Sequence, residues 1–221
     1  RGDHHARPGS RGAEGHVDRG ELALSLDEGA ADQRRVEDIE ANAAEQGLAE
    51  GDRIGVVGRN GGGKSSLIRI LSGVETPHSG RVSVSGGIHV GALTQIDSAD
   101  PEATVRDVVM GEMQEYEWAS NSRVREVLTG LFGGFSEEIL DRKMGPLSGG
   151  ERRRVALAAL LISDLDVLLL DEPTNHLDVE AVAWLASHLK GRNGLALVVV
   201  THDRWFLDEV SDRTWEVVGG A

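Results

Sequence analysis

One stretch of the chain, from Arg53 to Leu71, combines a short apolar run, a glycine-rich turn and apolar residues at helical spacing. The run Arg53-Ile54-Gly55-Val56-Val57 is apolar and β-branched, as a buried strand should be, and Ser66 to Leu71 has the periodicity of a helix. A strand, a tight turn and a helix in that order favour a parallel sheet covered by helices. The sequence therefore predicts an α/β fold.

The turn in this stretch, which we call the phosphate loop, reads Gly58-Arg59-Asn60-Gly61-Gly62-Gly63-Lys64-Ser65 and fits the pattern G-x-x-x-x-G-K-[ST]. Its glycines let backbone N–H groups converge on an anion, and the helix that follows adds unpaired donors and partial positive charge. We expect the loop and Ser66 to bind phosphates, with Lys64 reaching the β- and γ-phosphates and Ser65 contacting Mg²⁺. The competing interpretation is a chance glycine-rich turn, which the flanking strand and helix argue against.

The composition limits the class of protein. With 221 residues, of which 39% are hydrophobic, the chain is long enough for one core of ordinary size. A net charge of −14 does not indicate binding to nucleic acid or to a membrane surface. The absence of cysteine excludes a disulfide framework and is compatible with the reducing cytoplasm, where we expect the protein. No run of residues has the length and apolar character of a transmembrane helix.

Residues 1–49 differ from the rest in being rich in Arg, Gly, Asp, Ala and His. Such a composition favours a disordered or loosely attached segment, followed by a folded domain at residues 50–221. Alternating leucines in the segment predict one strand, at Leu22, Leu24 and Leu26. Apolar residues at helical spacing predict one weak helix, with Val36, Ile39 and Ala43.

Two apolar runs in the second half of the chain end in polar residues. Asp166 to Asp171 is followed by Glu172, and Leu195 to Val200 is followed by Thr201 and His202. Parallel sheets bind ligands where their strands end, so we expect these residues at the same edge as the phosphate loop.

The segment between these motifs is predicted to be mostly helical, and a helical sub-domain is expected at about residues 96–162. The signature segment, Leu147-Ser148-Gly149-Gly150-Glu151, precedes an apolar helix from Arg152 to Ile162. Ser148 is a natural cap for that helix, and Glu151 stands in its first turn. The three arginines 152–154 have two interpretations, a nucleic-acid patch or, as we favour, solvated or paired side chains at the helix start.

The order of these motifs resembles that of an ATP-binding-cassette ATPase. The matching positions are Gly58–Ser65, Gln95, Leu147–Glu151, Asp171–Glu172, Asp178 and His202. Glu172-Pro173-Thr174-Asn175-His176-Leu177-Asp178 and Thr201 to Leu207 are similar to the soluble ABC-F branch, whereas transporter cassettes usually carry small residues at Asn175-His176. The resemblance covers about Gly51 to the C-terminus and is greatest to the first of two cassettes.

The resemblance implies a P-loop NTPase fold with a mostly parallel sheet, a small antiparallel β part and an inserted helical sub-domain. It also implies ATP hydrolysis by a protein that acts on the ribosome. Asp171 would hold Mg²⁺, Glu172 would orient or deprotonate the attacking water, and His202 would contact the γ-phosphate and hold Glu172. Gln95 would contact Mg²⁺ or the water.

The resemblance further implies that one cassette is an incomplete catalyst. Ser148, Gly149 and Gly150 would bind the γ-phosphate held by a second cassette, and Asp178 would lie at the interface with it. The second cassette would come from a homodimer or from a missing second half.

Two alternatives to a translational ATPase and two departures from the family stay open at this point. The chain is alternatively the nucleotide-binding subunit of a transporter or a truncated remnant without catalysis. No aromatic residue precedes the phosphate loop to stack on adenine, so weak base selectivity is expected. Residues 1–49 do not show the usual first strands and are interpreted as not being family sequence.

Overall fold

The computed structural model describes residues 22–25, 39–40, 46–94, 100–111, 113, 118, 120–134 and 136–219. These residues form two sheets and seven helices. The strands are β1 (Leu22–Ser25), β2 (Ile39–Glu40), β3 (Gln46–Leu48), β4 (Arg53–Gly58), β5 (Arg81–Val84), β6 (Val90–Leu93), β7 (Val167–Asp171), β8 (Ala196–Val200) and β9 (Arg213–Gly219). The helices are α1 (Lys64–Leu71), α2 (Val105–Met110), α3 (Ser122–Phe132), α4 (Glu137–Leu140), α5 (Gly149–Ile162), α6 (Val179–Gly191) and α7 (Arg204–Val210).

The larger sheet has six strands in the order β2-β9-β4-β8-β7-β6. All neighbours from β9 to β6 are parallel, and only the edge strand β2 is antiparallel. Every residue of β7 and of β8 is buried, which matches their continuous apolar sequence and the helices on both faces. The predicted α/β fold with a mostly parallel sheet is confirmed.

The pairing register brings the carboxyl ends of three strands to one edge. Val200 of β8 is paired with Val56 of β4 on one side and with Asp171 of β7 on the other. The phosphate loop therefore begins, and Asp171 and Thr201 lie, at the same edge of the sheet. This is the edge at which open α/β sheets bind ligands.

The core has two parts, one on each face of this sheet. On one face, Leu67, Ile68 and Leu71 of α1 pack against β4, β7 and β8. On the other face, helices α2, α3, α5, α6 and α7 pack together and against side chains such as Leu168 and Val199. The α1 helix is thereby fixed directly behind the phosphate loop.

The small antiparallel sheet has the order β3-β1-β5. Its central strand confirms the strand predicted at Leu22 and Leu24. The weak helix predicted around Ile39 is wrong at that residue, because Ile39 and Glu40 form β2 and pair with Gly219 and Val218. Most of residues 1–49 lie outside the described part of the chain, so the domain boundary at 49 stays a prediction.

The helical segment between β6 and β7 packs on the core through α3 and α5. Val124, Val127, Leu128 and Leu131 of α3 are buried, as their spacing predicts. Across the contact between α3 and α6, the Nδ1 atom of His188 lies 2.8 Å from Glu126 Oε1, and the ring of His188 stacks on Trp184. Within the described residues, no helix is long and apolar enough to cross a membrane.

Candidate nucleotide-binding site

The phosphate loop has a backbone that side chains would obstruct. Gly58 has a φ of 151°, and a Cβ atom there would lie 2.4 Å from the carbonyl oxygen of Val217. Gly61 and Gly63 have φ values of 77° and 88°, in the left-handed region that favours glycine. The loop therefore needs glycine at these three positions to turn tightly from β4 into α1.

The start of α1 is free to receive an anion. No side chain caps the helix at Gly63, and its first turn contains no acidic residue. The first N–H groups and the positive end of the helix dipole face the loop without a protein carboxylate nearby in sequence. Ser65 lies in this first turn, and the hydroxyl of Ser66 accepts a hydrogen bond from Arg69 at 3.2 Å.

Lys64 is held inside the loop. It is only 8% exposed, and its Nζ atom donates to the carbonyl oxygens of Gly58 at 3.1 Å and Arg59 at 2.9 Å. These carbonyls are weak partners for a buried ammonium, since charge-assisted bonds to anionic oxygens are stronger. A phosphate group entering the loop would offer Lys64 such oxygens.

Two consecutive carboxylates end β7 and are buried. Asp171 is 2% exposed and Glu172 is 9% exposed, and Asp171 Oδ1 and Glu172 Oε1 are buried without a hydrogen-bond partner. Buried anionic oxygens without partners are costly unless a cation compensates them. Carboxylate and hydroxyl oxygens are ligands that Mg²⁺ prefers, so the residues at this edge fit a magnesium–nucleotide complex.

His202 lies beside Glu172 at this edge of the sheet. The backbone N–H of His202 donates to Glu172 Oε2 at 3.2 Å, and the ring atom Nε2 lies 3.3 Å from Oε1. The ring is not aligned for a hydrogen bond, and 63% of the histidine side chain is exposed. His202 is thus free to turn toward a ligand while its backbone holds the carboxylate.

Gln95 lies outside the described residues. The strand that leads to it, β6, is paired with β7 so that Leu93 stands opposite Leu170. The predicted contact of Gln95 with Mg²⁺ or water stays a prediction.

The signature segment caps α5 as the sequence predicts. The Ser148 side chain accepts from the Glu151 N–H, and the Glu151 carboxylate accepts from the Ser148 N–H, which is a capping box. These bonds to Ser148 and the Arg142 guanidinium 2.9 Å away lower the pKa of Glu151 to about 2. Ser148 and Gly149 are exposed, so the start of α5 is open to a second body.

The three arginines that follow are paired side chains, because each donates to backbone carbonyls of its own chain. Arg152 donates to Leu147 at 2.9 Å. Arg153 donates to Thr94 at 3.3 Å and to Asp171, and Arg154 donates to Leu131 at 3.3 Å and His176 at 2.6 Å. The sequence indicated pairing but gave no signal for these distant partners.

His176 lies against the signature segment, which the sequence did not predict. Its φ of 67° is in the left-handed region, and a Cβ atom on Gly150 would lie 3.0 Å from its Cβ and Cγ atoms. The close approach explains why position 150 needs glycine in this chain. Strained residues of this kind concentrate at functional sites.

Asp178 has a local role that the sequence interpretation missed. Its Oδ1 atom accepts the Ala181 N–H at 2.8 Å and caps α6. An aspartate three residues before the amide it caps is the signal that would have found it. Its place at an interface stays a prediction.

Comparison with known proteins identifies this arrangement. The family model described as ABC transporter matches residues 41–175. The tylosin resistance ATP-binding protein TlrC of Streptomyces fradiae is 38% identical over 213 residues, with 78% of this chain and 38% of the relative covered. The energy-dependent translational throttle protein EttA of Escherichia coli K12 is 37% identical over 205 residues, with 77% of this chain and 37% of the relative covered. The chain thus spans less than two fifths of the length of these relatives.

Solved structures with the same fold agree with this result. The RNase-L inhibitor has a TM-score of 0.66 at 34% identity, covering 77% of this chain and 32% of that chain. An archaeal ribosome recycling factor, solved with a ribosomal stalk protein, has a TM-score of 0.67 at 29% identity, covering 95% and 38%. A bacterial Atm1-family exporter with ATP bound has a TM-score of 0.70 at 22% identity over 92% and 39%, a likeness of fold alone. The chain therefore belongs to the ATP-binding-cassette ATPases, and within them to the ABC-F branch.

Proposed function

We propose that the chain binds ATP with Mg²⁺ and hydrolyses it to ADP and phosphate as one half of a two-cassette catalyst. The observation that carries this proposal is the pair of buried carboxylates, Asp171 and Glu172, whose unpartnered oxygens lie at the same sheet edge as the phosphate loop. A buried carboxylate pair, a lysine and a helix start without a side-chain cap together provide for a cation and a polyphosphate.

Each residue has a separate task in this reaction. Residues Gly58 to Lys64 bind the phosphates, and Lys64 exchanges its carbonyl partners for phosphate oxygens. Ser65 and Asp171 would hold Mg²⁺, which would neutralise the charge of the phosphates. Glu172 takes the proton of the attacking water or orients it, and the His202 N–H keeps the carboxylate in place.

The second cassette belongs to the proposal because the start of α5 is open. Ser148 and Gly149 are exposed, and a Cβ atom on Gly149 would meet no atom within 4 Å. The capping box of Ser148 uses the Glu151 N–H, and the Gly149 and Gly150 N–H groups before it are suited to bind an anion carried by another molecule. A second copy of this chain, or a second cassette elsewhere in a longer protein, supplies that anion.

Action on the ribosome in the cytoplasm is supported by the relatives. The name of EttA ties that protein to translation, and an archaeal neighbour is a ribosome recycling factor. Three transporter structures share the fold at 20% to 23% identity. A transporter subunit and an inactive remnant are the rival functions, and both differ from the proposal in a measurable way.

Calorimetry tests the nucleotide step. Wild type should bind ATP with Mg²⁺, and Lys64→Ala should bind about 10- to 100-fold more weakly, because charged hydrogen bonds contribute about 1.5–3 kcal/mol. Lys190→Ala is the matched control, since Lys190 is an exposed partner of Glu209. Equal affinity in wild type and Lys64→Ala would contradict the site, and no binding by wild type would favour the inactive remnant.

Co-sedimentation tests the partner. The Glu172→Gln chain should pellet with purified ribosomes in ATP and not in ADP, because it holds ATP without cleaving it. The Lys64→Ala, Glu172→Gln double variant should stay in the supernatant in both. Action on the ribosome would be contradicted if the Glu172→Gln chain pelleted equally with ATP and with ADP, or if it pelleted with neither.

A further inference from the structure

Arg153 stands on α5 but contacts the ends of two strands of the sheet. Its guanidinium donates to the carbonyl of Thr94, at 3.3 Å, and to the carbonyl of Asp171. Its Nε atom is buried. One side chain thus joins the signature helix to the residue that carries a catalytic-site carboxylate.

The two carbonyls belong to neighbouring strands at the point where the ladder stops. Leu93 of β6 is paired with Leu170 of β7, so Thr94 and Asp171 are the next residues on the two strands. Carbonyls beyond the end of a ladder need other donors when they are partly buried. The planar guanidinium has several N–H groups at fixed angles and can serve both carbonyls at once.

Neither neighbouring arginine makes such a bridge. Arg152 donates within its own segment, to Leu147, and Arg154 donates to Leu131 and His176. Of these three arginines, Arg153 is the one that donates to the end of β7 itself, whereas Arg154 reaches His176, four residues beyond Glu172. Arg153 also reaches the residue before Gln95.

We propose that Arg153 is a positioning residue that holds the Asp171–Glu172 segment in register with the signature helix. The inference rests on the proposed function. When a second cassette engages Ser148 to Gly150, a shift of α5 moves Arg153 and with it the carbonyl of Asp171. Binding of the partner cassette's nucleotide at the signature segment thereby changes the position of Asp171 in the chain's own nucleotide site.

Two measurements on three variants test this role. The variants are Arg153→Met, which removes both bonds, Arg153→Lys, which keeps the charge but lacks the planar fork, and the control Arg152→Met. The first measurement is the affinity for ATP with Mg²⁺ divided by the affinity for ATP in EDTA. The second is amide hydrogen exchange of residues 171–175 in the ligand-free chain, which involves no metal.

We call the ratio of the ATP affinity with Mg²⁺ to the ATP affinity in EDTA the magnesium advantage. Arg153→Met should lower this ratio at least tenfold and leave the affinity in EDTA within twofold of wild type. It should also speed amide exchange at residues 171–175. Arg153→Lys should lie between Arg153→Met and wild type, and it decides the outcome if Arg153→Met does not fold. Arg152→Met should match wild type in both measurements. A merely structural arginine would change both affinities together.

Three outcomes overturn the inference. The first is a magnesium advantage in the Arg153 variants equal to that of wild type. The second is amide exchange at residues 171–175 that does not differ from wild type. The third is an Arg152→Met effect as large as that of Arg153→Met. In each of these, wild type still binds ATP and the proposed function stands. If wild type itself binds no ATP, the proposed function fails and the inference fails with it.

Discussion

At the scale of single residues, the site holds charges in unfavourable positions. Asp171 and Glu172 bury unpartnered oxygens, and Glu172 has a φ of 50°, in the left-handed region. Such a backbone costs of the order of 1 kcal/mol for a residue other than glycine. The empty site is therefore destabilising, and a bound cation and phosphates would reduce that cost.

Replacing the first of these carboxylates should make the empty chain more stable. Asp171→Asn removes a buried charge without changing the shape of the side chain, so the unfolding free energy should rise by about 1 kcal/mol and Tm by about 2–4 °C. Calorimetric melting without nucleotide measures this shift. The same variant should lose the dependence of ATP affinity on Mg²⁺. A lower Tm for Asp171→Asn would show that the carboxylate is already compensated.

The lack of an aromatic residue upstream of the phosphate loop leads to a prediction about selectivity between ATP and GTP. No aromatic residue precedes Tyr116 in the sequence, so none stands upstream of the phosphate loop to stack on adenine. Stacking of a base on an aromatic ring contributes about 1–3 kcal/mol in nucleic-acid complexes. ATP and GTP should therefore bind with similar, weak affinity in competition titrations. A strong preference for ATP would mean that another group reads the base.

At the scale of elements, α3 packs against α6 so closely that no side chain fits at Gly130. A Cβ atom on Gly130 would lie 2.0 Å from ring atoms of Trp184, whose ring in turn stacks on His188. The glycine costs helix propensity, about 1 kcal/mol relative to alanine, but admits the indole ring. The close packing of the two helices thus outweighs the local preference.

Gly130→Ala should therefore destabilise the chain although alanine favours helices. A Cβ atom 2.0 Å from the indole ring should cost near the upper end of the about 1–3 kcal/mol typical of overpacking, which exceeds the gain of about 1 kcal/mol in helix propensity. The ring cannot move aside without losing its stack on His188. The control is Gly134→Ala, where a Cβ atom would meet nothing within 4 Å. Urea unfolding should show a lower midpoint for Gly130→Ala only. If Gly130→Ala and Gly134→Ala had equal urea midpoints, the Trp184 ring would not lie against Gly130.

The cap of α5 should make stability depend on pH. The pKa of Glu151 is lowered to about 2 by its bonds to Ser148 and Arg142, so its contribution is complete above the ordinary pKa and is lost as pH falls toward 2. Glu151→Gln should cost about 1 kcal/mol or less at pH 7, because the side chain is 42% exposed. Denaturation at stepped pH should show this difference shrinking below about pH 4.5. A difference constant with pH would contradict the cap.

Local features were predictable, and contacts between distant segments were not. The phosphate loop and the Ser148 cap involve residues close together in the sequence, so their patterns carry the information. The spacing of Val36, Ile39 and Ala43 predicts a helix, but so weak a preference is overridden at Ile39 by pairing with β9. The partners of Arg153 and the left-handed φ of His176 depend on how α5 packs on the sheet, which no spacing in the sequence records.

At the scale of the whole molecule, the proposal requires two bodies for one reaction. The chain should be monomeric without nucleotide and nearly inactive when dilute, and its specific activity should rise with protein concentration. A specific rate that does not depend on concentration would contradict the shared site.

Mixing two inactive variants tests the shared site most directly. Glu172→Gln removes the base, and Ser148→Arg blocks the start of α5 while the phosphate loop of that chain stays intact. In the mixed dimer, one composite site carries both defects and the other carries neither. Phosphate release should therefore recover in part on mixing, although each variant alone is inactive. A mixture as inactive as its components would contradict the two-body mechanism.

The position of β4 in the sheet has a consequence for how the chain folds. This strand, which leads into the phosphate loop, pairs on one side with β8 and on the other with β9, the last two strands of the described chain. During synthesis β4 leaves the ribosome more than a hundred residues before either neighbour exists, since its partners begin at Ala196 and Arg213. Until then the unpaired backbone groups on both edges of this apolar strand are open to pairing with other chains. An early strand of the sheet is therefore enclosed only when the last two strands pair with it, and folding is slow because these pairings join residues far apart in sequence.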